Sequence, residues 1–316
     1  MQMDDAGFTS SRFTIAGHLK ICRFDHWIKN VFVLPGVVLA VLLHDAEFDL
    51  LTVLVGFLLI GLVASSNYVI NEVLDAPTDR HHPIKCHRPV PAGKVSIPLA
   101  YAQWLLMGAA GIGGAFLIDQ WFAGSLAALW VMGLVYNVPP LRSKDVAWLD
   151  VISESINNPL RLLAGWYLVE PDAFPPLSLV LSYWMIGCYF MDLKRYAEYR
   201  TIADSARAAA YRKSFKVYSE ELLLVGATFY AGLAMLFLGF FVARYRLELI
   251  LAFPAIGLLM TIYMRLAFRP NSAVAAPERL WRHGSLVITG LLSALLVLLL
   301  LTVDLPWMRS AFPAKS

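Results

Sequence analysis

The sequence predicts an all-α fold, a polytopic membrane helical bundle of about nine transmembrane helices around a cytoplasm-facing cavity. Three observations predict it. The 316 residues are 59% hydrophobic, with a mean hydropathy of +0.62. Only 16% are charged, against about 25% in a soluble domain. Apolar stretches of the roughly twenty residues that cross a bilayer recur along the whole chain, and Lys and Arg fall unevenly between the segments that join them.

The stretches lie at 28–44, 50–70, 98–118, 120–140, 147–169, 174–191, 222–243, 247–265 and 285–303. Pro35 and Gly36 interrupt the first, which membrane helices tolerate because neighbours re-satisfy the freed backbone groups. A tight turn at Asp119-Gln120 separates the third from the fourth. The connections 44–49 and 169–174 are short, acidic and turn-like. Those at 71–97 and 192–221 are longer and dense in charge. The expected organisation is one membrane domain over 1–316, with 71–97 as first inner catalytic loop and 192–221 as second inner loop. The first twenty residues are too polar for a signal peptide, so the first span is expected to serve as the insertion signal.

Basic residues set the orientation. With the N-terminus cytoplasmic, the inner segments hold 21 of the 26 Lys and Arg. The outer side keeps Arg244, Arg246, Arg309 and Lys315, and Arg161 lies inside a span. The net charge of +3 is therefore a topology signal for a multi-pass protein of the inner (plasma) membrane, with its site facing the cytoplasm. No basic recognition helix or RNA-binding signature is present, so no nucleic-acid partner is expected. Cys22, Cys86 and Cys188 are scattered and form no disulfide or zinc framework.

The first inner loop opens with Asn71, Asp75 and Asp79. At i, i+4 and i+8 they share one helix face, neighbours about 6 Å apart. Two carboxylates and a carboxamide suit Mg²⁺, which completes its shell with water and substrate phosphates. Pro77 makes Asp79 the least secure member of that face. Arg80, Lys85 and Arg88 follow, cations suited to phosphate oxygens. The spacing of His81, His82, Cys86 and His87 fits no closed zinc site, and His82 reads as a turn residue or a phosphate donor.

The stretch "NEVLDAPTDRHHPIKCHRPVPAG" (71–93) resembles the first signature of the UbiA superfamily of intramembrane prenyltransferases. It is most similar to the branch that contains decaprenyl-phosphate phosphoribosyltransferase. Glu72 stands at the signature's second position, usually Asp. "RFDHWIKN" (23–30), "YNVPPLRSKDVAWLDV" (136–151), "KRYAE" (194–198) and "YRKSFKVY" (211–218) extend the resemblance. It implies a substrate-binding role for Tyr136, Arg142, Lys144, Asp150 and Arg161.

The second inner loop departs from the acidic motif of aromatic prenyltransferases. It reads "MDLKRYAEYR", with Asp192 and Glu198 six residues apart. Lys194, Arg195 and Glu198 are its candidate binding residues. Basic side chains here would hold phosphate directly and need fewer metals; the bland alternative is a basic face that satisfies topology alone. In the fifth span, Asp150, Glu154, Asn157 and Arg161 form one stripe at helical spacing. Intramembrane charges line a polar cavity or pair with one another, so a chamber lining and a Glu154–Arg161 pair both stay open. Lys29 is either a headgroup anchor or a phosphate anchor for a lipid acceptor.

These residues suit departure of pyrophosphate from a carbon that becomes cationic. Mg²⁺ on Asn71, Asp75 and Asp79 would neutralise the leaving group, helped by Lys85 and Arg88. The expected reaction moves 5-phosphoribose from phosphoribosyl pyrophosphate to a polyprenyl (decaprenyl) phosphate. The alternatives are prenyl transfer from a diphosphate to an aromatic acceptor and, from another class, a secondary transporter. Expected partners are the polyprenyl lipid, the phosphorylated donor and membrane lipids, with self-association into a homo-oligomer left open.

Overall fold

The computed structural model describes residues 13–44, 46–47, 49–80, 85–202, 207–208 and 211–312. Among them there is helix but no strand. In chain order the helices are α1 (Ile15–Ile21), α2 (Leu34–His44), α3 (Leu50–Asp79), α4 (Ile97–Phe116), α5 (Gln120–Asn137), α6 (Leu149–Ser155), α7 (Asn157–Tyr167), α8 (Leu177–Ile202), α9 (Glu220–Tyr245), α10 (Phe253–Ala267), α11 (Gly284–Thr302) and α12 (Pro306–Ala311). Tighter 3-10 segments, Phe24–Val33 and Leu247–Ala252, lead into α2 and α10.

Capping residues fix where several helices start. Asp49 accepts the amides of Leu51 and Thr52 ahead of α3. Asp119 accepts those of Trp121 and Phe122 ahead of α5, so the tight turn read from the sequence is an N-cap. Ser219 accepts the amide of Leu222 ahead of α9.

All nine predicted stretches are helical, and six segments among the described residues are long and apolar enough to cross a bilayer: Ile15–His44, Leu50–Asp79, Ile97–Phe116, Glu220–Tyr245, Leu247–Ala267 and Gly284–Thr302. The stretches at 120–140, 147–169 and 174–191 are not among them. They coincide with α5, with α6 plus α7, and with α8, which carry the polar interior: Asn137, Asp150, Arg161, Asp192 and Arg195 are all buried. The fifth stretch is also not a single helix. Pro159 lacks the N–H that would bond the Ser155 carbonyl, and α6 ends at Ser155 before α7 begins at Asn157.

α3 packs on α4 and α5, α8 on α9, α6 and α7, and α10 on α11. α2 crosses α7 with no room for side chains between them. A Cβ on Gly36 would collide with the Leu162 carbonyl, and one on Gly165 with the Val33 carbonyl. Paired small residues are how membrane helices approach closely. Outward faces are apolar, as with Leu105 and Leu106 on α4, Phe229 and Phe240 on α9, and Leu291, Leu292 and Leu295 on α11. The protein is a multi-pass membrane protein with its polar groups gathered inside.

Candidate active site

With 30 residues, α3 is about 45 Å long, longer than the roughly 30 Å hydrocarbon core. Its final turns can therefore carry polar side chains past the apolar zone. The helix runs through Pro77 to Asp79, and the Arg80 amide still bonds the Ala76 carbonyl at 3.1 Å. Asn71, Asp75 and Asp79 thus keep one face, Asp79 included.

Each member of that face meets a different element. The Asn71 Nδ2 donates to Asn137 Oδ1 at the end of α5. Asp75 Oδ1 accepts from Lys144 Nζ at 2.6 Å and from an Arg142 Nη at 3.0 Å. Asp79 Oδ2 accepts from Arg88 Nη1 at 2.6 Å, and Lys85 Nζ lies 3.9 Å from its other oxygen. Glu72 is buried on another side, where it pairs with Arg23 at 3.0 Å and accepts the Val90 amide at 3.1 Å. It fastens the N-terminal segment and the first inner loop to α3, so the longer acid at this position is a strut.

The α5–α6 connection delivers the two cations. Arg142 (φ 23°) and Trp148 (φ 68°) both adopt left-handed backbone, a conformation non-glycine residues enter only under surrounding constraint. An Arg142 Nη also donates to the Asn137 carbonyl, and Lys144 Nζ donates to Asn137 Oδ1 at 2.8 Å. Asp145 receives Arg142 and, at 2.7 Å, Lys213 from the second inner loop. Lys144 is 6% exposed. Burial pushes its ammonium down from 10.5 to about 8, against the attraction of Asp75.

A second knot lies where α5, α6 and α8 meet. Asp150 is buried and accepts from Arg195 Nε at 2.9 Å, Tyr218 Oη at 2.7 Å and Ser214 Oγ at 3.2 Å. The same guanidinium donates to Glu198 at 3.0 Å and to the Tyr136 hydroxyl at 3.1 Å. One planar fork thereby organises Tyr136, Asp150 and Glu198. Both Lys194 and Glu198 lie beyond the predicted end of the sixth span, at 191. Burial pushes Lys194 down to about 8, opposed by Glu198 and reinforced by Arg195 and Lys29. Burial would raise Glu198, but Arg195 and Lys194 outweigh it and hold the acid at about 2. Asp192 stays apart. It is 0% exposed, neither carboxylate oxygen has a hydrogen-bond partner among the described residues, and it lies against Gly226 of α9.

The fifth-span stripe divides. Asp150 joins Arg195, whereas no ion pair joins Glu154 to Arg161 among the described residues. Arg161 is buried on α7, donates to the Asn157 carbonyl at 3.2 Å and has an unpartnered Nε. The ammonium of Lys29 lies 5.7 Å from the Tyr68 ring centroid on α3. Arg80 is exposed at the C-cap of α3, and His82 lies outside the described residues.

Sequence reasoning missed Asn137, which joins Asn71 to Lys144, and Tyr211, whose hydroxyl accepts from Lys85 at 2.9 Å. Asn137 directly follows Tyr136 in a stretch already singled out, but nothing local marks a polar residue at a span end as a bridge.

Among the described residues no three His, Cys, Asp or Glu side chains stand together as a metal cluster. The α3 face nevertheless fits Mg²⁺, for which two carboxylates are enough. The Asn71 carboxamide oxygen carries no hydrogen bond among the described residues, so it adds a third hard donor.

The family model described as UbiA prenyltransferase family matches residues 32–286. The chain is 31% identical over 214 residues to the decaprenyl-phosphate phosphoribosyltransferase of Mycobacterium tuberculosis, covering 66% of this chain and 68% of that one. It is 33% identical over 94 residues to the digeranylgeranylglyceryl phosphate synthase of Saccharolobus solfataricus, covering 30% and 32%. A UbiA homolog from Archaeoglobus fulgidus, solved bound to GPP and Mg²⁺, shares the fold with a TM-score of 0.68 at 18% identity, over 91% of this chain and 100% of that one.

Proposed function

Because the chain belongs to the UbiA prenyltransferase family and is a transferase, we propose its reaction at a finer grain: transfer of 5-phosphoribose from phosphoribosyl pyrophosphate to a polyprenyl phosphate. The new bond joins a lipid phosphate oxygen to the anomeric carbon. The bond from that carbon to pyrophosphate breaks, and pyrophosphate leaves with the electron pair. The oxygen that attacks is already anionic, so no strong base is required.

One observation carries the reading. Residues 192–198 place Lys194 and the Arg195 fork beside Glu198, while Asp192 is buried against α9. This leaves cations, rather than a second pair of acids, to meet a phosphate-rich donor. The likeness to decaprenyl-phosphate phosphoribosyltransferase over two thirds of the chain agrees with it.

Asn71, Asp75 and Asp79 would hold Mg²⁺, which when bound supplies positive charge to the departing pyrophosphate. The cations that pair with those acids, Lys144, Arg142, Arg88 and Lys85, stand where they would transfer to donor phosphates as the acids take up the metal. Tyr136 and Asp150 hold Arg195 in place. Arg161 and Lys29 are assigned to the acceptor phosphate, with Arg161 Nε offering an unused buried donor. We read the helices as nine crossings, the N-terminus as cytoplasmic, and the site as opening to the cytoplasm at the plasma membrane, from the distribution of Lys and Arg.

The test is purified full-length protein with magnesium, labelled phosphoribosyl pyrophosphate and decaprenyl phosphate. A labelled lipid with equimolar pyrophosphate is expected, and chelation of the metal should stop it. Turnover of a prenyl diphosphate with an aromatic acid, and none of phosphoribosyl pyrophosphate, would overturn the reading.

A further inference from the structure

A second cluster of cations lies in the α10–α11 connection. Arg269, Asn271, Ser272, Arg279, Arg282 and His283 line a cavity of about 280 Å³. None of these residues belongs to the α3 face or to the Arg195 knot. The cavity is nevertheless at the same end of the bundle, because Arg200 near the end of α8 donates to the Phe268 carbonyl at 3.1 Å and the Tyr196 ring packs edge-on against Phe268.

Local hydrogen bonds set the frame of the cavity. Asn271 takes a left-handed backbone (φ 51°) that turns the chain. Ser272 Oγ donates to the Leu266 carbonyl at 2.7 Å and accepts the Val274 amide at 3.1 Å, and Val274 is buried beneath. Arg269, Arg279 and Arg282 are exposed, and no carboxylate among the described side chains pairs with them. Between residues 265 and 283 the sequence holds four Arg and one His against Glu278 alone. Like charges around one hollow repel until an anion enters, and guanidinium groups match phosphate oxygens in pairs.

The surroundings indicate where that phosphate comes from. Trp281, between two of the arginines, is 69% exposed, the position of an aromatic residue at a membrane interface. Ile288, Leu291 and Leu292 continue outward along α11 as a face for acyl chains. Basic pockets between membrane helices at headgroup depth are suited to anionic lipids. The volume admits a phosphate with a small polar substituent and is at the small end for an organic ligand.

We propose that the α10–α11 cavity is a phosphate-binding site, separate from the reaction site, that holds the headgroup of an anionic membrane lipid. Full-length protein in mild detergent, titrated with phosphatidylglycerol and read by native mass spectrometry, should show a discrete lipid adduct. Phosphatidylcholine should give none. Arg279→Gln with Arg282→Gln should weaken the adduct about 25-fold, at roughly fivefold per basic residue. Arg244→Gln, at the other end of α9, should leave it unchanged. Arg269→Gln is the independent variant if the double substitution does not yield folded protein, and it should weaken the adduct about fivefold. Excess inorganic phosphate should leave the adduct in place. Displacement by inorganic phosphate would keep the anion site and overturn the lipid as its source. Equal binding of phosphatidylcholine, or an adduct indifferent to the arginine substitutions in folded protein, would overturn the proposal and leave these arginines as topology signals only.

Discussion

Lys144 Nζ stands 2.6 Å from Asp75 Oδ1, joining the α5–α6 connection to the last turns of α3. The same ammonium bonds Asn137, which bonds Asn71. Two members of the α3 face are therefore set by one buried cation from seventy residues away. That contact gives the clearest predictions.

The first concerns pH. Lys144 titrates at about 8 rather than 10.5 because it is buried, so its positive charge disappears as pH rises through 8. If it meets donor phosphate, the apparent KM for donor should rise from pH 7 to 9. Lys144→Arg should keep its charge and flatten that limb. Unfolding does not explain such a loss, because between about 8 and 10.5 the unfolded chain binds the extra proton and this group's contribution to stability increases with pH. A wild-type KM that stays level to pH 9 would refute the contact with donor.

Asp75→Asn and Asp79→Asn should each lower transfer by about 100-fold or more, the usual effect of removing a charge-stabilising group. Asp75→Asn should also lower the apparent Tm, since the buried Lys144 loses its acid at a cost of about 1–3 kcal/mol. Asp79→Asn should affect stability less, because Arg88 and Lys85 are both more than a quarter exposed. Either variant retaining more than about a tenth of wild-type rate would remove the assignment of this face.

The Arg195–Asp150 pair should behave as a buried ion pair. Asp150→Asn removes one of the two carboxylates that pair with the buried Arg195, leaving Glu198, and should destabilise by about 1–3 kcal/mol. A double-mutant cycle with Arg195→Met, followed by apparent Tm in detergent, should recover part of that loss. Additive effects would show that the two do not act as a unit.

Gly165→Ala and Gly36→Ala test the α2–α7 crossing. Each places a methyl group on a facing carbonyl and should cost about 1–3 kcal/mol or more. Size-exclusion profiles and apparent Tm should report it, whereas Gly239→Ala, with nothing near its Cβ, should be silent.

Lys194, titrating at about 8 for the same reason as Lys144, supplies a further check. Lys194→Gln should raise the KM for donor with little change in apparent Tm, because the relief of desolvation offsets the lost attraction to Glu198. A fall in kcat alone would place this group away from donor binding.

The apolar runs, the polar motif after the second of them and the basic asymmetry were legible because each is written in consecutive residues. So was the common face of Asn71, Asp75 and Asp79, since helical spacing alone aligns it, and the helix proved continuous through Pro77. The fifth span was less legible. Its stripe assumed an unbroken helix, and Pro159 divides α6 from α7. Asn137 was not legible at all, because a lone Asn at a helix end carries no local sign of a distant partner.

The amino-acid order by itself determined the class of protein, the helical segments and the identity of the acidic face, because hydropathy, capping and i, i+4 spacing act over a few residues. Partner choice was settled only by the tertiary structure: Asp75 takes Lys144 and Arg142, Asp79 takes Arg88, and Asp150 takes Arg195, while Glu154 and Arg161 form no ion pair among the described residues. The reason is electrostatic and steric together. In a low-dielectric interior an ionised acid is held by a cation, and which cation arrives depends on how the helices cross and where the connecting loops turn.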